Sequence, residues 1–361
     1  MKKYILAICI LGTLCSSCEN NQEKIRNVED WTQYVEPRIG TAHCRWFHFT
    51  PGALPFGLAK PAPSTNGSLG NKWGWEATGY DYRENTIEGF PCLHEFQVGG
   101  IVLMPTSGKL VTVPGLPTDS VKTGYRSHFS RENEIATAGY YSVLLDDYQI
   151  QAELTATPRV AFQRFTFPKG TDNHILFNIG NRQGESGAVK DAYVTYTADG
   201  HIEGWVITMP EYVKKYQPGA TVPLYFSAVL DRKPESYGSF HGNTQLADAK
   251  ESKGTGAGMY FTFSNEQQEA VTAKIGLSYT SVENARINLQ AEAEGKTFED
   301  AKEQAHQIWQ EYLGRIEVET SKKEDKVKFY TGLYHALLGR GLANDVNGAY
   351  PRNDGSVGQL P

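Results

Sequence analysis

Cysteine is scarce in this chain. There are five in 361 residues, and past Cys18 only Cys44 and Cys92 remain. Nothing resembles a zinc pattern, and the two late cysteines form either one disulfide in an oxidising compartment or two buried thiols. Positive charge is also in short supply. Lys and Arg number 35 against 41 Asp and Glu, a net charge of −6. An acidic chain makes a poor partner for nucleic acid or for anionic membrane surfaces, so a neutral or cationic ligand is indicated. The apolar run Tyr4 to Leu14 falls far short of the roughly 20 residues that cross a bilayer.

That run has a different reading. Lys2 and Lys3 precede it and Cys15-Ser16-Ser17-Cys18 follows, as in a secretory signal. Small residues before Cys18 resemble a bacterial lipoprotein cleavage site, with Cys15 standing where Leu is usual. Residues 1–17 are therefore read as a signal peptide, Cys18 as the lipidation position and residues 18–30 as a polar tether. Without its leader the net charge becomes −8. The expected location is beyond the inner membrane, as a periplasmic or outer-membrane lipoprotein touching the bilayer only through its anchor. Plain secretion is the other outcome.

The stretch from Arg45 to Gly100 is the richest in information. Its 56 residues hold ten Phe, Trp or Tyr and nine Gly, broken by Pro51, Pro55, Pro61, Pro63 and Pro91. Glycine lets backbone approach a ligand, proline fixes loop shape, and exposed rings offer flat faces. Aromatic rings on rigid loops suit the C–H faces of a sugar. Turn-rich β structure collects Gly and Pro as well.

Up to about Thr280 the pattern is of short β-rich runs separated by turns. They are Ile101–Met104, Lys109–Val113, Tyr140–Leu145, Gln149–Ala156, Arg159–Phe167, His174–Ile179, Tyr193–Thr197, His201–Thr208, Leu224–Leu230, Gly258–Phe263 and Ala270–Tyr279. Val160, Phe162 and Phe165 interleave with polar residues, as do Ile150, Ala152 and Leu154. The stretches around Gly254–Gly258 and Pro234–Asn243 read as loops. Many strands without helices between them predict an antiparallel β-sandwich.

After Thr280 the period becomes helical. Ser281 caps a helix to about Ala293, ended by Gly295; Thr297 caps a second, with Phe298, Ala301, Ala305, Ile308, Trp309, Tyr312 and Ile316 on one stripe. A third follows Lys322–Asp325, with Val327, Tyr330, Leu333, Tyr334, Leu337 and Leu338. Either these stripes dock on the sandwich or they open a helical domain of a larger protein.

Several segments together resemble glycoside hydrolase family 92. They are Val35–Thr41 (VEPRIGT), Arg45–Gly57 (RWFHFTPGALPFG), Ala59–Pro63, Gly74-Trp75-Glu76 with Gly79-Tyr80-Asp81, and Ile87–Phe90. They continue with His94–Gln97 and Gly99-Gly100, Met104–Thr106, Ser278–Ala285 (SYTSVENA), Phe329–Thr331 with Leu333–His335, and Asp345–Gly348 before Tyr350. The resemblance implies a β-sandwich over residues 31–280, a helical linker over 281–320 and, at 321–361, the first helices of a truncated (α/α)6 barrel. It further implies an exo-acting, calcium-dependent α-mannosidase that inverts configuration. Inversion needs a protonated and an ionised carboxyl roughly 6.5–9.5 Å apart. In the family these are a Glu and an Asp of the barrel, beyond position 361. No catalytic or metal-ligating residue is therefore assigned here, and most Ca2+ ligands are placed outside the chain.

The sandwich is expected to lend loops to the terminal sugar, chiefly Trp73 to Glu95. Trp75, with Trp73 beside it, would stack on the α-mannoside. Glu76 and Asp81 would accept from its hydroxyls, and His94 with Glu95 would make a polar contact. A core Trp, a solvated loop carboxylate and a structural His are the ordinary readings of the same residues. Asp345–Gly348 lacks the oxygens of an EF-hand and reads as a turn. A non-catalytic glycan-binding envelope lipoprotein and an assembly module using residues 327–338 are the competing functions.

Overall fold

A computed structural model describes residues 29–42, 49–65, 79–95, 98–116, 118, 122–181, 188–210, 215–339 and 341–361, with backbone only at Thr171, Glu95, Val98 and Gly99. The leader, the tether up to position 28 and Cys18 lie outside the described residues. So do Trp73, Trp75, Glu76 and Cys44.

Residues 31–361 form one unit, mainly β with C-terminal helices. Among the described residues, a nine-stranded antiparallel sheet runs in the order Glu251–Lys253, Ala188–Tyr196, Ile202–Met209, Val222–Leu230, Glu269–Ser278, Val160–Phe167, Ile150–Ala156, Tyr140–Leu145, Glu134–Thr137. A six-stranded antiparallel sheet faces it, in the order Thr244–Ala247, Ser236–His241, Ala257–Asn265, Gly170–Asn178, Val98–Ser107, Phe90–Glu95. Rings meet across the gap: Phe90 with Phe165 at 5.9 Å, Phe167 with Phe263 at 6.4 Å, and Phe177 with Phe226 at 6.5 Å between centroids. Strand Ile202–Met209 alternates buried and half-buried at every step, as one covered face requires.

Strand Val160–Phe167 does not follow the simple alternation. Phe165 and Phe167 face the sandwich core, whereas Val160 and Phe162 point to the opposite face, where they pack with Leu289, Ala293, Phe298 and Ala301. The strand is covered by a hydrophobic layer on each side, so its apolar positions are not all of one parity. Two other expectations are corrected. Lys109–Val113 is not a strand; it is held by isolated bonds, such as Tyr125 N to Val113 O at 2.8 Å, before Pro114 interrupts the donor pattern. Pro234–Asn243 is not a loop, because Ser236–His241 pairs on both sides. Its Gly238 lies against the Tyr260 ring, leaving no space for a Cβ, so the apolar signal of the strand is weak.

Helix α1 (Val282–Ala293) starts at Ser281, whose hydroxyl accepts from Asn284 N at 3.1 Å. Helix α2 (Phe298–Leu313) starts with a reciprocal capping box between Thr297 and Asp300. Helix α3 (Lys323–Leu338) has no side-chain cap at Lys322. The first two lie on the outer face of the large sheet, while α3 packs on α2 and on the turn Trp31–Tyr34. Phe298, Ala301, Ala305 and Trp309 are buried with Leu313, while Ile316 is exposed. Trp31 and Tyr34, in a 3₁₀ turn, stack on Tyr330 of α3 at 5.3 and 5.7 Å.

Candidate functional site

Among the described residues, the loop 53–60 meets the helices at a seam. Three backbone and side-chain bonds close this seam. Phe56 N donates to Leu337 O at 2.9 Å, Leu342 N donates to Phe56 O at 2.9 Å, and Trp309 Nε1 donates to Ala53 O at 2.7 Å. Lys60 is buried there and its Nζ donates to the carbonyl oxygen of Gly339, just past α3, at 2.6 Å. An ammonium at a helix C-terminus meets both the orphan carbonyls and the negative end of the dipole. Behind the seam, Asp345 is 1% exposed; its Oδ1 accepts from Asn288 Nδ2 at 2.7 Å and its Oδ2 from Thr280 Oγ1 at 2.5 Å. Asn288 Oδ1 in turn accepts from Val346 N at 2.9 Å. SYTSVENA and the Asp345 turn are thus one buried polar cluster.

The segment after Gly79 is anchored by charge. Tyr80 and Tyr141, both fully buried, donate to the same Glu134 Oε1, each at 2.8 Å. Arg131 Nη1 donates to Glu134 Oε2 at 2.9 Å and to the Tyr80 hydroxyl at 2.6 Å. Burial, with the Glu134 charge behind it, pushes both phenols well above their usual range, so they remain donors. The second Arg131 amine then reaches the carbonyl oxygens of Glu84, at 2.7 Å, and Tyr82. This pair orients the 80–84 turn. A buried pair of this kind specifies a geometry more than it adds net stability.

A second buried pair, Arg126 with Glu88 at 2.7 Å, is joined by Ser64, whose Oγ donates to Glu88 Oε1 at 3.0 Å. Arg126 also donates to the Thr65 carbonyl. Neither Arg126, Arg131 nor Glu134 stands in a motif, and each acts on a segment some 38 to 61 positions away. No local signal in the sequence identifies them.

Of the residues named as sugar contacts, Trp73, Trp75 and Glu76 lie outside the described residues, and of Glu95 only the backbone is described. Asp81 is fully buried; Arg83 binds its two oxygens at 2.9 and 2.8 Å, and Arg83 N adds a third bond at 2.9 Å. It braces the turn. His94 is 5% exposed and stacked on Phe49 at 5.4 Å, with no hydrogen-bond partner for Nδ1 among the described residues. Burial lowers its pKa to about 3, so the ring is neutral. A buried polar nitrogen without a partner is uncommon in a folded protein. Cys92 is a buried free thiol that accepts from Gln163 Nε2 at 3.3 Å.

Calcium, which the family resemblance implies, finds no ligand set here: among the described residues no group of three or more His, Cys, Asp and Glu gathers. The Asp345 oxygens are engaged by Asn288 and Thr280, which makes that turn an anchor.

Comparison with known proteins bears on the same residues. The glycosyl hydrolase family 92 N-terminal domain model matches residues 34–278, and the family 92 catalytic domain model matches residues 284–360. A family GH92 α-mannosidase from Bacteroides thetaiotaomicron superposes with a TM-score of 0.83 at 26% identity, covering 92% of this chain and 44% of that one. Its complex with mannoimidazole gives 0.82 at 26%, covering 92% and 43%. An uncharacterized secreted glycosidase of Arthroderma benhamiae is 25% identical over 339 residues, 86% of this chain and 41% of the relative. The chain therefore spans about two fifths of the length of these proteins.

Proposed function

The chain belongs to glycosyl hydrolase family 92, and on that premise we propose that it is the N-terminal part of an exo-acting α-mannosidase that removes terminal α-mannosyl units with inversion. One observation carries the reading: both family 92 domain models match in order along residues 34–360, on a fold shared with a mannosidase that binds mannoimidazole. In this reading residues 31–280 are the sandwich, 281–320 the linker and 321–361 the opening of a helical catalytic domain.

The sandwich lends the sugar-facing loop, with Trp73, Trp75, Glu76, His94 and Glu95 as contacts and Asp81 as the brace of the adjoining turn. Neutral His94 is suited to a hydroxyl partner because it can donate or accept without a charge to desolvate. The acid and base belong to the helical domain outside these 361 residues, as do most of the calcium ligands. Calcium, when bound, would supply Lewis-acid polarisation and hold sugar oxygens. Cys18 is the proposed lipid anchor, in the periplasm or at the outer membrane.

The test is release of mannose from α-linked manno-oligosaccharides by the encoded protein, with and without a calcium chelator. Release that stops on chelation supports the reading, and no release from any mannoside overturns it. Turnover by residues 18–361 alone would refute the placement of the acid and base.

A further inference from the structure

A cavity of about 340 Å³ opens where the 36–42 segment meets the 80–84 turn, lined by Glu36, Arg38, Ile39, Gly40, Ala42 and Tyr82. That is within the range of small-molecule sites, roughly 300–1,000 Å³, and such sites favour junctions between structural units. This one adjoins the seam, since Glu36 N donates to Thr331 Oγ1 of α3 at 3.0 Å.

One wall is apolar and open to solvent. Tyr82 is 44% and Ile39 46% exposed, a pairing that folding alone does not reward. The Tyr82 ring is nevertheless held in place: the Arg131 guanidinium stacks on it at 4.5 Å and bonds its carbonyl oxygen. An aromatic face is thus presented with little freedom left to lose on binding.

The polar side is equally constrained. Arg38 Nε and Nη2 donate to the two oxygens of Glu36, both at 2.8 Å, and Arg38 N bonds Glu36 Oε1 at 3.1 Å. That leaves the Arg38 Nη1 hydrogens free of any partner among the described residues. Burial pushes the Glu36 pKa up, but the bonds from Arg38 outweigh it and the net shift is downward, so both groups are ionised. The fork therefore carries hydrogen-bond donors and acceptors but no net charge. A phosphate or carboxylate ligand would have to compete with Glu36, whereas sugar hydroxyls use both halves of the pair. Among the described residues Glu36 is the single carboxylate of the lining, and its ion pair with Arg38 keeps it from serving as acid or base.

We propose that this cavity is a neutral-saccharide subsite, stacking on Tyr82 a sugar unit of the glycan other than the one released and binding its hydroxyls through Arg38 and Glu36. The proposal rests on the α-mannosidase reading, and two measurements separate its failure from the failure of that reading.

The first is kinetics of the encoded protein. Tyr82→Ala raises KM for manno-oligosaccharides at least tenfold with kcat changed less than twofold. It changes kcat/KM on a one-sugar aryl α-mannoside by less than twofold, and Tyr82→Phe restores oligosaccharide KM. Unchanged oligosaccharide kinetics, or equal losses on both substrates, overturns the subsite while leaving the mannosidase standing. The second is saturation-transfer NMR with mannotriose and with mannose 6-phosphate, which reads binding whether or not any mannoside is hydrolysed. Transfer to mannotriose that disappears in Tyr82→Ala and in Arg38→Met, at unchanged melting temperature, supports it. No transfer in the wild type, or preference for the phosphorylated sugar, overturns it.

Discussion

Thr65 donates twice to the carbonyl oxygen of Gly79, from its amide at 2.9 Å and from its hydroxyl at 3.0 Å. The same hydroxyl accepts from Asp81 N at 2.9 Å. One side chain thereby brings together the two ends of the stretch that contains Trp73, Trp75 and Glu76, and fixes the start of the Tyr80–Glu84 turn. Gly79 has φ +75°, a conformation that side-chain-bearing residues rarely adopt, so the closure depends on the glycine as well.

Thr65→Val keeps the shape of the side chain and removes its hydroxyl. The Asp81 amide is then buried without a partner, and a loss of about 1–3 kcal/mol is expected from denaturant unfolding. Hydrogen exchange should rise in residues 79–85 and not in the sheets; equal protection everywhere would show that the clasp is incidental.

Lys60→Met removes the ammonium bound to Gly339 while keeping an apolar stem of similar length. The carbonyl at the end of α3 loses a charged donor, which corresponds to roughly 1.5–3 kcal/mol. Exchange of amides 335–339 should accelerate first, since Lys60, with the backbone bonds of Phe56, ties the end of α3 to the proline-rich loop. A variant as stable as the wild type would remove Lys60 from the seam.

For the buried cluster behind the seam, a double-mutant cycle is the cleaner measurement. Asp345→Ala strands the donors on Asn288 and Thr280, and about 2–3 kcal/mol of stability should go with it. Asn288→Ala made in the Asp345→Ala background should cost much less than in the wild type, with a coupling of about 1–2 kcal/mol. Additive losses would mean that the two side chains act independently.

Acid should act through His94. Its folded pKa of about 3 lies below the ordinary histidine value near 6.5 because burial penalises the charged ring. Between these two values the unfolded chain binds a proton that the folded chain refuses. Stability is thus complete above pH 6.5 and falls as pH drops towards 3. From pH 7 to pH 5 the histidine contributes a loss of roughly 2 kcal/mol. His174 is also lowered, by burial, so the informative quantity is the difference between wild type and His94→Phe. The variant should lose about 2 kcal/mol less over that interval, and identical pH slopes would refute the assignment.

Much of the fold was legible along the chain. Ser281 and Thr297 cap the helices where their sequence patterns place them, because capping is a contact between near neighbours. The run of short strands predicted the antiparallel sandwich for the same reason: alternation is a property of the strand itself. Strand Ser236–His241 was missed because its stabilising neighbours are other strands and Tyr237 and Phe240 are its only large apolar side chains, separated by Gly238 and Ser239. Val160 and Phe162 read as partners of Phe165 until the helices on the far face became visible. At the site, the motif segments gave Asp81 a sugar-binding role, and the structure has Arg83 on both its oxygens.

By itself, then, the sequence determined most of the elements, their order, and the family to which the chain belongs. These follow from periodicity, capping and residue type, all of which act over a few residues. Only the tertiary structure decided which charges serve those loops. Arg131 and Glu134 hold up the Tyr82 turn, Lys60 holds the end of α3, and Arg38 meets Tyr82 across a cavity. The reason is physical: buried polar groups must find partners wherever the packed layers bring them, and that pairing leaves no periodic trace along the chain.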